Sequence, residues 1–187
     1  MKGSIWLGPM LVLASSMAGA AECNETCLRS QLNSYLAAMT QHDAASVKLA
    51  PAVRYTENGK VAKVGEGLWS SAEALGGYQH RLVDTTTQQA MFIGVVNEGA
   101  TPAIATIRVK VDDDAITEIE HVVARKGSHA LFAPQAFVKP HASLTTHAKQ
   151  RESREKLIEI ADSYFEGIEQ HTSKIIRSSP ACQRIEN

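Results

Sequence analysis

Residues 89–124 read QAMFIGVVNEGATPAIATIRVKVDDDAITEIEHVVA. Apolar side chains recur at alternate positions, and the alternation breaks twice, at NEGA and at DDDA. A period of two places successive side chains on opposite faces of a strand. Connections this short join only antiparallel neighbours. Three strands are therefore expected, around Gln89–Val96, 101–111 and 116–126, as a meander. One face of such a sheet is apolar and has to be covered.

The cover is predicted upstream. Leu28, Leu32, Tyr35 or Leu36, and Met39 recur at helical spacing, so a helix is expected from Cys27 to about His42. The segment AVRYTEN then reads as a strand, Asn58-Gly59 as a hairpin turn and KVAKVGEG as the returning strand. The stretch LWSSAEALGGY fits a short helix ending at Gly76-Gly77. Helix, hairpin, short helix and meander make an α+β order: a cone-shaped, curved antiparallel sheet wrapped around an N-terminal helix.

The first residues read differently. MKGSIWLGPMLVLASSMAGA places Lys2 before an apolar run, with small residues at Ala18 and Ala20. This is the pattern of a secretory signal peptide, residues 1–21, cut after Ala20 or Ala21. The apolar run is shorter than the roughly 20 residues of a membrane span and holds Gly8, Pro9, Ser15 and Ser16. An exported protein, periplasmic or secreted, is expected, with no membrane attachment after cleavage. Export permits disulfides, and there are three cysteines, Cys23, Cys27 and Cys182. Cys23 can close on Cys27, or either can reach Cys182. Their spacing does not suit zinc, so no metal site is expected. Asn24-Glu25-Thr26 is a glycosylation acceptor sequence if the host is a eukaryote. The net charge of −1 offers no basic field for nucleic acid.

The end of the chain echoes its beginning. SYLAAMTQHDAASVKLAPAVRYTEN from Ser34 and SYFEGIEQHTSKIIRSSPACQRIEN from Ser163 align without a gap at a spacing of 129 residues. Amphipathic helices resemble one another, which accounts for the apolar stripe but not for the shared Gln-His and the Pro-Ala…Glu-Asn ending. The match predicts a duplication. Residues 152–187 are then the incomplete start of a second unit, a helix plus a strand onset at CQRI, and the chain reads as a fragment of a longer two-unit protein. Residues 131–151, with two prolines and no clear period, are expected to be a linker.

The element order over residues 24–126, with DDDAITEIEHVVARK as acidic turn and final strand, resembles the nuclear transport factor 2-like superfamily, which includes SnoaL-like polyketide cyclases and ketosteroid isomerases. More narrowly, YTENG…GEGLW, FIGVVNEGATPAIATIRVKVDDDAITEIE and IADSYFEGIEQ…CQRIEN look like a family of exported proteins with two such domains in tandem, of uncharacterised activity. The resemblance implies a SnoaL-like cone domain over 22–130 with an apolar pocket for a small organic ligand. It further implies a cofactor-independent lyase, isomerase or dehydratase, or a non-catalytic ligand-binding or dimerisation module. The association it implies is a homodimer, or pairing with a second domain of the same chain.

Within such a pocket a base must be shielded from water. His121 is the first candidate. Strand alternation puts Thr117, Ile119, His121 and Val123 on one side, and Glu118, Glu120 and Val122 on the other. Either side could be the concave one. His80 is the second candidate base, and Tyr55, Trp69, Tyr78 and Phe92 are candidate pocket walls. Features kept in both halves of the repeat read as fold devices: Glu57 as a ligand of backbone near the hairpin turn, His42 as a helix-end residue, and Tyr35 as a core residue whose hydroxyl reaches a polar partner. No cofactor motif is present.

Overall fold

Asn24 starts the first helix. Its side-chain oxygen accepts a hydrogen bond from the Cys27 backbone N–H at 3.0 Å, so α1 spans Glu25–Gln41 and begins two residues before the expected start at Cys27. The computed structural model describes residues 22–128, 132–137, 152–179 and 182. The expected signal segment, most of the expected linker, and the strand expected from CQRI lie outside these residues, Cys182 excepted.

After α1 and a 3₁₀ turn at Ala44–Ser46 come β1 (Leu49–Glu57), β2 (Lys60–Ala62), α2 (Leu68–Ser71), β3 (Ala74–Asp84), β4 (Gln89–Glu98), β5 (Thr101–Asp112) and β6 (Ala115–Ala124). A second 3₁₀ turn lies at Pro134–Ala136, and α3 spans Arg154–Glu169. The six strands form one curved sheet in the order β2-β1-β6-β5-β4-β3. The class is α+β, as expected, and the meander β4-β5-β6 is present. Its last turn uses positive φ at Asp113 and Asp114, and the β1–β2 turn uses positive φ at Asn58 and Gly59, the backbone of a two-residue hairpin loop.

Two expectations are corrected. The Gly76-Gly77 pair does not end a helix; it lies inside β3, an eleven-residue strand. A Cβ at Gly76 would come within 2.8 Å of Val95 on β4, so glycine is there for close approach of two strands, beside a register shift between Leu75 and Gln79. The sheet is also not wholly antiparallel, because β1 runs parallel to β6. The chain leaves β2 through α2, crosses to the far edge at β3, and returns strand by strand until β6 lies beside β1.

Helix α1 lies across the concave face. Leu28, Leu32, Tyr35, Leu36 and Met39 are all buried, against Ala90, Phe92 and Val96 of β4, Ala103, Ala105, Ile107 and Val109 of β5, and Ile116, Ile119 and Val123 of β6. Each large aliphatic buried this way contributes about 1.5–3 kcal/mol. Helix α3 is capped by Ser153, and Arg154 holds Asp84 at the end of β3. The caps Asn24 and Ser153 lie upstream of the two aligned stretches at the same spacing of 129 residues, and His42 and His171 stand at equivalent positions within them, both with positive φ. The stripes differ in burial: Leu157, Phe165 and Ile168 of α3 are exposed, whereas the matching Leu28, Leu36 and Met39 are buried.

Candidate functional site

The parallel pairing of β1 with β6 builds the polar centre of the cone. Its register sets Tyr55 beside Ile119 and Glu57 beside His121. Tyr55 and Glu57 are two residues apart, so they share a face. On β6 the face carrying Ile119, His121 and Val123 is the concave one, and the exposed Val122 marks the other. Tyr35 reaches the same point from α1.

His121 is completely buried and both ring nitrogens are engaged. Nε2 lies 2.8 Å from the Tyr35 hydroxyl, and Nδ1 lies 3.1 Å from the Tyr55 hydroxyl. The Tyr55 hydroxyl is also 3.1 Å from Oε2 of Glu57. One arrangement of protons serves every group. Tyr35 donates to Nε2, Nδ1–H donates to the Tyr55 oxygen, and Tyr55 donates to the Glu57 carboxylate. With the other tautomer, Nε2–H would point at the Tyr35 oxygen and the Tyr35 proton would need a separate acceptor. Among the described residues no buried side-chain nitrogen or oxygen lacks a partner.

Glu57 fastens this chain to the rim. Its Oε2 accepts the Leu68 backbone N–H at 2.6 Å, and its Oε1 accepts from Arg125 at 3.0 Å. Arg125 also holds Glu98 at 2.8 Å, and Glu98 in turn accepts from the Ser71 hydroxyl. Gly67 makes the Leu68 contact feasible. Its φ is 62°, and a Cβ there would stand 2.2 Å from Oε2 of Glu57. Glu57 does bind backbone, but at Leu68 at the start of α2 rather than near the hairpin turn. His42, which caps the C-terminus of α1, places its Nδ1–H on the Trp69 carbonyl at 2.8 Å, and Trp69 meets the Tyr35 ring edge-on at 5.2 Å.

Burial governs the protonation states. It pushes His121 down to about 4, with Arg125 pushing the same way and Glu57 opposing. His121 is thus neutral at physiological pH, and its 3.9 Å approach to Glu57 is not a charge pair. Burial, with the nearby Glu57 charge, pushes both Tyr35 and Tyr55 up. Arg125 is held above its usual range by its hydrogen bonds to Glu98 and Glu57. In this arrangement His121 has no free lone pair to offer a substrate. Proton abstraction by it would require Tyr35 or Tyr55 to move aside.

The candidate residues divide between the two faces. Tyr55, Trp69 and Phe92 are buried in the interior with His121. His80 is not with them. It pairs with Ile93, whose neighbours Phe92 and Gly94 are buried on the concave side, so His80 belongs to the convex face. Tyr78 has the same parity, and its ring packs edge-on against Phe137 at 4.8 Å. The two candidate bases therefore lie on opposite sides of the sheet and form no common site. Among the described residues, two of the cavities lie away from His121. One is an open groove of about 640 Å³ along α3, lined by Glu155, Ile158, Asp162, Glu166, Ile175 and Arg177. The other is a hollow of about 150 Å³ between Leu82, Asp84, Met91 and Arg108. Among the described residues no three His, Cys, Asp or Glu side chains gather into a metal site. Cys23 is bonded to Cys27, and Cys182 is a free, exposed thiol. No helix among the described residues is long and apolar enough to cross a membrane.

Sequence reasoning placed Tyr35 as a core residue with a polar partner; that partner is His121. It missed Arg125, Glu98 and Ser71. Arg125 pairs with Glu98 and Glu57 across 27 and 68 positions of chain, and the Ser71 hydroxyl donates to Glu98 across 27, which leaves no local pattern.

Residues 150–187 match the family model of a domain of unknown function, DUF8021. No curated protein matches the chain. Among solved structures, a protein of unknown function with a cystatin-like fold from Methylobium petroleophilum is 14% identical. That likeness covers 71% of this chain and 100% of the other, at a TM-score of 0.44. A candidate ketosteroid isomerase from Kribbella flavida is 13% identical, over 68% of this chain and 93% of the other, also at 0.44. A de novo designed protein with a curved β-sheet is 13% identical, over 56% and 91%, again at 0.44. Likeness at this level carries no activity from one chain to another.

Proposed function

We propose that this chain is an exported, non-catalytic association module of the nuclear transport factor 2-like kind. The observation that carries the reading is the filled cone: Tyr35, Tyr55, Trp69, Phe92 and His121 occupy its interior, each at most 2% exposed, and hydrogen bonds join Tyr35, His121 and Tyr55 to one another. A domain that uses its own side chains as the ligand of its pocket is a scaffold. The Cys23–Cys27 disulfide supports export, since such bonds persist in oxidising compartments.

The convex face supplies the surface. His80, Ile93, Thr106 and Val122 form one cross-strand row, and Leu82, Met91, Arg108 and Glu120 the next. Leu82 is 41% and Val122 54% exposed. Arg108 stands between Glu118 and Glu120, so the patch carries both charge signs around an apolar centre. Such a patch is self-complementary about a two-fold axis, and its partner is a second copy of this sheet. The test is the oligomeric state of the secreted protein. A concentration-dependent dimer that Val122→Arg converts to monomer, with the thermal midpoint kept, is expected. A monomer at all concentrations would refute it.

One observation favours a second reading, a cofactor-independent lyase, isomerase or dehydratase with His121 as base. The chain from Tyr35 through His121 and Tyr55 to Glu57 is continuous and could pass a proton toward the half-exposed Arg125 rim. For this reading, a small partly apolar ligand has to displace Tyr35 or Tyr55. Screening aromatic and steroid-like ligands by the shift of the His121 ring resonances would reveal such a displacement.

A further inference from the structure

We infer that Asn24 is an N-glycosylation site, modified as the chain enters a eukaryotic secretory compartment. The inference rests on the exported reading above. Three independent features meet at this residue. The sequence Asn24-Glu25-Thr26 has the acceptor pattern with a non-proline middle residue. Asn24, Glu25 and Thr26 are all exposed. The residue before Asn24 is Cys23, whose disulfide to Cys27 encloses the acceptor sequence and belongs to the same oxidising route.

The geometry of Asn24 tolerates the modification. Its helix cap uses the amide oxygen, which accepts from the Cys27 N–H at 3.0 Å. A glycan is carried by the other atom, Nδ2, and leaves that oxygen an acceptor. Cap and sugar are thus compatible on one side chain. The site is also held firmly on the surface, because the Cys23 N–H donates to Gln88 Oε1 at 2.8 Å and Gln88 Nε2 donates to the Cys23 carbonyl at 3.1 Å. In the transfer, Nδ2 attacks the anomeric carbon of a lipid diphosphate-linked oligosaccharide. The carbon–oxygen bond to the diphosphate breaks, the lipid diphosphate leaves with the electron pair, and the displaced amide proton passes to a base of the transferase. Asn24 itself is extended, but Glu25 and Thr26 belong to the first turn of α1, so transfer precedes formation of that turn.

The experiment is secretion of the full chain, from Met1, by a eukaryotic host, followed by intact-mass measurement before and after peptide N-glycosidase. One enzyme-removable glycan mapping to Asn24 is expected. Thr26→Ala should abolish it while leaving the cap oxygen and the thermal midpoint unchanged. Secreted, disulfide-closed protein with an unmodified Asn24 would overturn the inference alone. Protein retained inside the cell with Cys23 and Cys27 reduced would overturn the export reading, and the inference with it.

Discussion

Nε2 of His121 lies 2.8 Å from the hydroxyl of Tyr35, a residue 86 positions earlier, and both side chains are fully buried. This contact joins the centre of the sheet to the helix that covers it. It lies in a site closed to solvent, so its loss strands a polar atom without water.

Tyr35→Phe is expected to cost about 1–3 kcal/mol, because Nε2 is left unpaired in a dry site. Tyr55→Phe should cost at least as much, since its hydroxyl serves both His121 and Glu57. Denaturant titration measures both. Combined with His121→Phe, each should show a coupling of about 0.5–3 kcal/mol. Additive losses would mean that the hydroxyls and the ring do not share one network.

The buried imidazole makes stability pH-dependent. His121 titrates at about 4 in the folded chain against 6.5 for an ordinary histidine. Its contribution is fully present above pH 6.5. As pH falls from there toward 4, the unfolded chain takes up a proton that the folded chain refuses, and stability drops. At about 1.4 kcal/mol per unit the full loss is about 3 kcal/mol. Unfolding midpoints at neutral and mildly acidic pH should lie closer together in His121→Phe than in the wild type. Parallel acid losses in the two proteins would count against a neutral, buried His121.

Gly67→Ala should destabilise by more than about 1 kcal/mol, because φ is positive and the new methyl meets the Glu57 carboxylate. Part of this penalty is a collision rather than backbone strain. In a Glu57→Ala background the same substitution should therefore cost less, as read from thermal midpoints. An equal penalty in both backgrounds would assign all of it to the backbone.

The Cys23–Cys27 loop spans a separation of only four residues, so its closure removes little unfolded-state freedom. Reduction should cost no more than about 2 kcal/mol. Alkylation of the folded, unreduced protein should label Cys182 alone. Peptide mapping that finds Cys182 joined to either of the others would overturn this pairing.

Some of this architecture was legible residue by residue. The turns at Asn58-Gly59 and at 112–115 were readable because their residue types tolerate positive φ. The α1 stripe was readable because a helix repeats its face over a few residues. The strand around Gly76-Gly77 was not, since paired glycines look like a helix end until the approach of Val95 is known. His121 was legible as a candidate base, but not the face it occupies. Tyr78 and His80 read as pocket residues from their neighbourhood in the chain, and strand parity turned them outward.

What the sequence determined by itself was therefore local: strand alternation, helix stripe, and turns that need special backbone angles. These follow from interactions among residues a few positions apart. Only the tertiary structure decided that β1 runs parallel beside β6, and that pairing put Glu57 and Tyr55 against His121. Only it decided that Arg125 closes on Glu57 and Glu98. Long-range pairing of this kind is selected by burial and charge satisfaction of the whole core at once, and no short stretch of the chain carries its signature.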